Sequence, residues 1–357
     1  MRNRRIAVAM SGGVDSSVAA AFLANRGHDV FGLTMELTGN ESRCCAEDDI
    51  RDARRVAQLL GIPHYVVPLR EAFKRHVIDY FVQEYLRGRT PNPCAVCNPS
   101  VKFGLLLEKA VELGATAFAT GHYAIVRRDE KSGRYVLRRA KEKGKDQSYF
   151  LARLPQKALR RALFPIGNFP KSKIRELAAR FGLPVAQKTE SMDACFLSDI
   201  ELIDFLENHT DAVLQPGPIV DGNGRRLGSH RGIAGYTIGQ RKGLGITAGV
   251  PMYVNRIDPA SSALVVGPEE ELYGLAFTAS ESVWIGAARP ERPLRARVRI
   301  RYKHRPAGAW VEPVSRHAVR VRFDSPQRAI TPGQLAVFYD GDAVLGSAWI
   351  DSVFKTE

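Results

Sequence analysis

Residues 5–17 read Arg-Ile-Ala-Val-Ala-Met-Ser-Gly-Gly-Val-Asp-Ser-Ser, an apolar run that passes through a Gly-Gly turn into an Ala-rich segment, Val18 to Leu23. Gly12 and Gly13 let backbone amides approach an anion. Ser11, Ser16 and Ser17 add hydroxyls, and the following helix turns its positive dipole end toward the same point. The chemistry this predicts is the binding of a polyphosphate. No lysine follows the glycines, so the turn differs from the G-x-x-x-x-G-K-[ST] phosphate loop. A second set of reactive groups is thiols: Cys44-Cys45 in the acidic loop 36–49, Cys94 and Cys97 as C-x-x-C, and Cys195 in Ser-Met-Asp-Ala-Cys-Phe. None of the five falls in the last 160 or so residues, so thiol chemistry and the anion loop are expected to share a site.

The elements that would position these groups alternate over the first ~190 residues. Ile6–Met10, Asp29–Met35, His64–Leu69 and Ala117–Ala119 read as strands. Asp48–Leu60, Glu71–Leu86, Phe103–Leu113 and Lys171–Phe181 read as amphipathic helices, with Gly61 and Gly114 as stops. The alternation predicts an α/β fold, a doubly wound parallel sheet with ligands at the carboxyl ends of its strands. Pro91 and Pro93 predict an extended loop before Cys94. Beyond ~200 the segments become short and punctuated. From ~275 alternation dominates: Leu294, Ala296, Val298 and Ile300 on one side, with Arg295, Arg297, Arg299 and Arg301 on the other. This predicts a small antiparallel barrel or sandwich with an arginine-studded outer face. The boundaries are drawn as 1–198, 199–274 and 275–357.

The formal charge of +14 is concentrated. Residues 126–145 hold nine Lys/Arg against three Asp/Glu, and residues 289–328 hold twelve against three. Two such windows suit a polyanion such as nucleic acid. No run of ~20 apolar residues is present, so no membrane-spanning helix is expected. The odd cysteine count does not read as a secreted disulfide framework, and the expected compartment is the cytoplasm.

The glycine turn resembles the PP-loop of ATP pyrophosphatases, which holds the pyrophosphate of ATP while a substrate oxygen attacks the α-phosphate. It is followed in order by Arg89-Thr-Pro-Asn-Pro-x-x-x-Cys-Asn98, Ala119-Thr-Gly-His-Tyr123, Lys145-Asp-Gln-Ser-Tyr-Phe150, the Cys195 segment, Gly235-Tyr-Thr-Ile-Gly-Gln-Arg-Lys-Gly-Leu-Gly245 and Thr331-Pro-Gly-Gln334. Together these resemble the tRNA-specific 2-thiouridylase family over essentially the whole chain. The resemblance implies a PP-loop domain, a small central domain and a C-terminal β-barrel. It implies a transferase that replaces O2 of the wobble uridine with sulfur in the tRNAs for Lys, Glu and Gln. ATP and Mg²⁺ serve the adenylation, and the sulfur comes from a cysteine desulfurase or a sulfur-relay protein. By position, Ala9, Met10, Ser11, Gly12, Gly13, Val14, Asp15, Ser16, Met35 and Gly121 are implied to bind ATP. Cys195 is implied to carry the persulfide, and Cys97 to attack it, leaving a Cys97–Cys195 disulfide. Asn92, Pro93, Cys94, His122, Lys145, Asp146, Gln147, Arg301, Tyr302 and Gln334 correspond to tRNA-contacting positions. Read alone, a His in Gly-His-Tyr is more often structural.

Many members of that family carry Asp where this chain has Cys94, an Asp assigned to acid–base help, so the substitution leaves the general base open. The C-x-x-C pair with Cys195 is a set able to hold an iron–sulfur cluster, and Cys44-Cys45 with Cys94 and Cys97 one able to hold zinc. Neither metal is adopted. The rival readings are a PP-loop amide or lysidine synthetase, which needs no cysteine pair, a cluster-dependent thiolase, and a non-catalytic tRNA-binding module.

Overall fold

The protein is described by a computed structural model covering residues 4–37, 47–189, 195–197, 201–210, 212 and 214–355. Cys44 and Cys45 lie outside the described residues, so the zinc set drawn from them has no structural account.

Strands β1 (Arg5–Ala9), β2 (Asp29–Glu36), β3 (His64–Pro68), β4 (Ala117–Thr120) and β7 (Ala162–Leu163) form a parallel sheet in the order β3-β2-β1-β4-β7. β2 is apolar at consecutive positions rather than at alternate ones, as a strand covered on both faces must be. The order reverses direction between β1 and β4, and a crevice opens there at their carboxyl ends. Helix α1 (Val14–Ala24) leaves β1 through the glycine turn, and Ala19, Ala20 and Ala21 are fully buried beneath it. Helix α2 (Glu47–Leu60) packs its Ile50, Ala53, Val56 and Ala57 face inward.

Two helical stretches differ from expectation. The stretch from Arg70 to Leu86 contains a π-helical turn at Lys74–Ile78. More important, the segment before Phe103 is not an extended loop. A helix begins at Pro93, runs through Cys97, becomes π-helical over Asn98–Leu105 and continues as α-helix over Leu106–Glu112. Proline is favoured at the first helical position because its missing N–H has no intrahelical acceptor to lose. Asn92 caps the start by accepting the Ala95 N–H at 3.1 Å.

A four-stranded central sheet has the order β10-β11-β8-β9, from β8 (Gly217–Val220), β9 (Arg226–His230), β10 (Tyr253–Asp258) and β11 (Ala263–Gly267). The C-terminal unit is a closed antiparallel barrel of six strands: β12 (Tyr273–Trp284), β13 (Leu294–Arg299), β14 (Ala307–Pro313), β15 (Val319–Arg328), β16 (Leu335–Asp340) and β17 (Ala343–Phe354). The pairing of β12 with both β15 and β17 closes the ring. Ala296, Val298, Val319, Val321 and Phe323 point into its core, as the alternation predicts.

The barrel sheet also takes in a hairpin from the N-terminal part of the chain. The hairpin β5 (Ala124–Arg128) and β6 (Tyr135–Arg139), which carries most of the first basic window, adds to the barrel sheet through the pairing of Arg138 with Ala343. Arg134 donates to the carbonyls of Trp284 and Ile285, and Lys143 pairs with Asp342. Part of that window's charge therefore fastens the hairpin to the barrel.

Candidate active site

The turn after β1 is shaped by one glycine more than the other. Gly12 has φ +68°, and a Cβ there would lie 2.3 Å from the Asp49 carbonyl at the start of α2. Gly13 has extended backbone at the N-cap of α1, with its nearest neighbour, Ser11 Oγ, 3.6 Å from an added Cβ. The serines split in role. Ser16 and Ser17 donate to the Gly13 carbonyl at 3.1 and 2.8 Å, and Ser16 Oγ accepts the Ser11 N–H at 3.2 Å. Ser17 is fully buried, so its hydroxyl holds the turn rather than reaching a ligand. Gly121 lies against the same loop: a Cβ there would come within 2.6 Å of the Ser16 nitrogen.

Above the turn lies a cavity of about 360 Å³, within the range of small-molecule sites. Its lining includes Ala9, Met10, Ser11, Gly13, Val14, Asp15, Ser16, Met35 and Gly121 of the nucleotide set, together with His122, Gln147 and Cys195. The anion loop and one of the thiols therefore open onto one space.

Sequence reasoning missed the cations of this cavity. Lys102, Lys171 and Lys188 line it, each from a separate segment. Lys171 Nζ lies 2.7 and 2.9 Å from the two carboxylate oxygens of Asp15, which also accepts from Tyr123 Oη at 2.8 Å. Lys188 reaches Asp49 and Asp52 at 2.7 and 2.6 Å. No local motif announces these lysines, because the fold alone gathers them. Lys171 supplies from a distant helix an ammonium of the kind that a Lys-containing phosphate loop carries in its own motif.

Of the thiols, Cys195 lines the cavity, and Cys94 and Cys97 lie on a separate helix. Cys94 and Cys97 occupy successive turns of the helix that starts at Pro93. Burial first, and then the neighbouring Cys195, push the Cys94 thiol up to about 11, while Lys102 acts the other way. Cys94 is thus a protonated thiol at neutral pH and cannot serve as the base that an Asp would be. Cys195 is anchored by its neighbour Phe196, which packs among Phe73, Phe81 and Phe205 at ring distances of 5.9, 5.0 and 5.4 Å. Cys97 and Cys195 pack against the same apolar cluster. Among the described residues no group of three or more His, Cys, Asp or Glu side chains is gathered to hold a metal ion. His122 shares a 2.8 Å hydrogen bond with Thr120 Oγ1, and burial together with Lys102 holds its pKa well below the usual histidine range.

The positions implied to meet tRNA divide into two groups. Gln147, His122 and Cys94 border the cavity or the thiols, and Lys145 is half-exposed beside them in sequence. Arg301 and Tyr302 approach from the barrel: Tyr302 lies 4.5 Å from the Phe150 ring, whose carbonyl accepts from Asn98 beside Cys97. Asn92 and Pro93 form the helix cap. Gln334 Nε2 donates to the carbonyls of Thr90 and Pro91, both at 3.0 Å, and so braces the start of the cysteine helix from the barrel. Asp146, also implied to meet tRNA, takes a structural place. It is fully buried, and its carboxylate binds Arg139 and Arg299 at 3.2 Å each and the Ala140 and Ser148 amides. Arg299 is likewise buried and turned toward Asp146, so it leaves the arginine-studded outer face that strand alternation predicts.

The comparisons with known proteins agree along the whole chain. Residues 4–199 match the family described as tRNA methyl transferase HUP domain, residues 203–268 the tRNA methyl transferase PRC-barrel domain, and residues 275–350 the aminomethyltransferase beta-barrel domain. A tRNA-specific 2-thiouridylase of Acetivibrio thermocellus is 47% identical, covering 98% of this chain and 100% of the relative. One of Geobacter metallireducens is 48% identical, covering 98% and 97%. Among solved structures, a 4-thiouridine synthetase in complex with RNA and ATP matches with a TM-score of 0.37 and 20% identity, over 58% of this chain and 50% of that one.

Proposed function

The chain belongs to the tRNA-specific 2-thiouridylase family, and we propose that it replaces O2 of the wobble uridine with sulfur in the tRNAs for Lys, Glu and Gln, using ATP. The observation that carries the reading is the shared cavity: the glycine turn at the end of β1, three lysines and Cys195 all border it. ATP is the substrate whose phosphates suit the loop amides and the positive end of α1. Attack by the uridine O2 on the α-phosphate forms an adenylated uridine and releases pyrophosphate. Charge that builds on the phosphates in that step is offset by the loop amides and by the ammonium groups of Lys171 and Lys188. Asp15 and Asp49 are the carboxylates of the cavity that would hold Mg²⁺ on exchanging their lysine partners, and the ion would supply positive charge beside the phosphates.

Cys195 then carries sulfur as a persulfide, received from a cysteine desulfurase or a relay protein. Cys97 thiolate attacks the inner sulfur of Cys195–S–SH, which forms the Cys97–Cys195 disulfide and releases hydrosulfide. The hydrosulfide adds at C2 of the uridine, and AMP leaves with O2. Tyr302 and the basic barrel turn beside it face the tRNA.

The test is mass spectrometry of wobble nucleosides after incubation with ATP, Mg²⁺, a sulfur source and unmodified tRNA. The expected product is 2-thiouridine in wild type and none in Cys97→Ser or Cys195→Ser, with tRNA affinity held within a few-fold. Thiouridine made by either mutant removes that cysteine from the mechanism.

A further inference from the structure

The reaction above gives Cys94 no step, yet its placement is specific. Cys94 and Cys97 are three residues apart in one helix, so their side chains rise on one face a single turn apart. At that spacing a C-x-x-C pair can close a disulfide without unfolding its turn. The charge of Cys195 acts on Cys94, and Cys97 and Cys195 each pack against the same large apolar cluster. All three are thiols in the structure. A disulfide between Cys97 and Cys195 would therefore form with a third sulfur beside it, on the same helix as one of its partners.

We propose that Cys94 is the resolving thiol of this site, converting the Cys97–Cys195 disulfide into a Cys94–Cys97 disulfide and returning Cys195 for its next sulfur. The inference rests on the persulfide reading. In the step, the Cys94 thiolate attacks Cys97 Sγ. The Cys94–Cys97 bond forms as the Cys97–Cys195 bond breaks, and Cys195 leaves as a thiolate that takes up the proton Cys94 has lost. The exchange involves no net oxidation. An external thiol or dithiol reductant then supplies two electrons to the Cys94–Cys97 disulfide.

Electrostatics favour this order of events. Burial is the main cause that holds Cys94 protonated, and the charge on Cys195 adds to it. Once Cys195 is in a disulfide it carries no charge, whereas Lys102 still favours the Cys94 thiolate. Losing the Cys195 charge lowers the barrier to Cys94 ionisation in the one state on which it has to act, while burial still opposes it. The arrangement also separates two encounters. Cys195 can meet the sulfur donor again while the oxidised helix pair waits for reductant.

The experiment maps the disulfide after one turnover without reductant. Enzyme preloaded with sulfur by a cysteine desulfurase is desalted, given ATP, Mg²⁺ and unmodified tRNA, quenched in acid, alkylated and digested with trypsin. Cleavage after Arg89 and Lys102 leaves Cys94 and Cys97 in one peptide and Cys195 in another. In wild type the 90–102 peptide is expected to be lighter by two hydrogens, with Cys195 alkylated. Cys94→Ser and Cys94→Ala are expected to yield the Cys97–Cys195 cross-linked peptide instead, with Cys195 blocked to alkylation and to reloading. A cross-link that persists in wild type overturns the relay alone, and needs no variant to be read. Thiouridine formed without any Cys97–Cys195 link in the Cys94 variants overturns the persulfide reading and the relay with it.

Discussion

Lys171 and Asp15 face each other across 156 residues of sequence, with both carboxylate oxygens within 2.9 Å of the ammonium. Asp15 belongs to the anion loop, and Lys171 opens the helix Lys171–Arg180 with its side chain almost entirely buried. The pair places a desolvated positive charge at the mouth of α1, where triphosphate charge has to be met. Replacing Lys171 with Met should lower kcat for ATP–pyrophosphate exchange by about 10²-fold, the scale of losing one preorganised donor at a developing anion. Lys171→Arg should retain part of the rate, and tRNA binding by either variant should be unchanged. Exchange at the wild-type rate in Lys171→Met would leave the lysine a structural partner of Asp15 only.

The two glycines of the loop should respond unequally to the same change. Gly12→Ala places a non-glycine residue at φ +68° and its Cβ against the Asp49 carbonyl. The backbone conformation alone costs about 1–3 kcal/mol, and α2 has to move away as well. Gly13→Ala meets nothing closer than 3.6 Å, so its fold should be intact, and any lost activity then reports on nucleotide approach. Thermal unfolding of both variants, with ATP turnover alongside, separates the two roles.

These contrasts show how much of the site is legible in the chain. The loop after β1 and the strands around it can be read because their signals are local: a glycine turn between an apolar run and an Ala-rich segment. The start of the cysteine helix misleads because two prolines look like extended chain. Only the Asn92 cap shows that Pro93 opens a helix. Lys102, Lys171 and Lys188 give no signal at all, since their meeting depends on how three segments are wound around the sheet. The arginine ladder shows a further limit. Alternation tells which face a side chain leaves from, but not that Asp146 is packed over that face to receive Arg299.

Acid should destabilise the fold through its partly buried histidines. Burial first, then Arg301, bring the His304 pKa down to about 4, and His122 is held well below the usual histidine range. A histidine whose folded pKa is depressed binds protons preferentially when unfolded. Its stabilising effect is complete above about 6.5 and is lost as pH falls toward 4. The melting temperature should therefore fall over that window, and His304→Gln should reduce the slope there. An unchanged slope in the variant would mean that His304 is accessible to protonation in the native state.

The barrel offers a test in which buried and exposed arginines part company. Arg299 is a poor probe of tRNA binding because it is one partner of a buried network. Arg299→Glu sets a carboxylate against Asp146 and should unfold the junction, with a cost on the order of 3–5 kcal/mol for breaking a buried pair. Arg297, Lys303 and Arg305 are exposed and lie on or beside the turn that carries Arg301 and Tyr302. Among the described residues Arg297 donates only to the Pro306 carbonyl at 2.8 Å, so reversing its charge strands no buried partner among them. Charge reversal of these three to Glu should preserve the melting temperature and weaken tRNA binding at least tenfold. Every phosphate that the protein ceases to neutralise withdraws a counterion-release contribution, roughly 0.9 in the slope of log K against log salt for duplex nucleic acid. The triple variant should thus show a shallower salt dependence than wild type, by about two to three units in a filter-binding titration. Unchanged affinity and slope would make the exposed face of the barrel turn a solvated surface, and would move the tRNA interface to the cavity side of Tyr302.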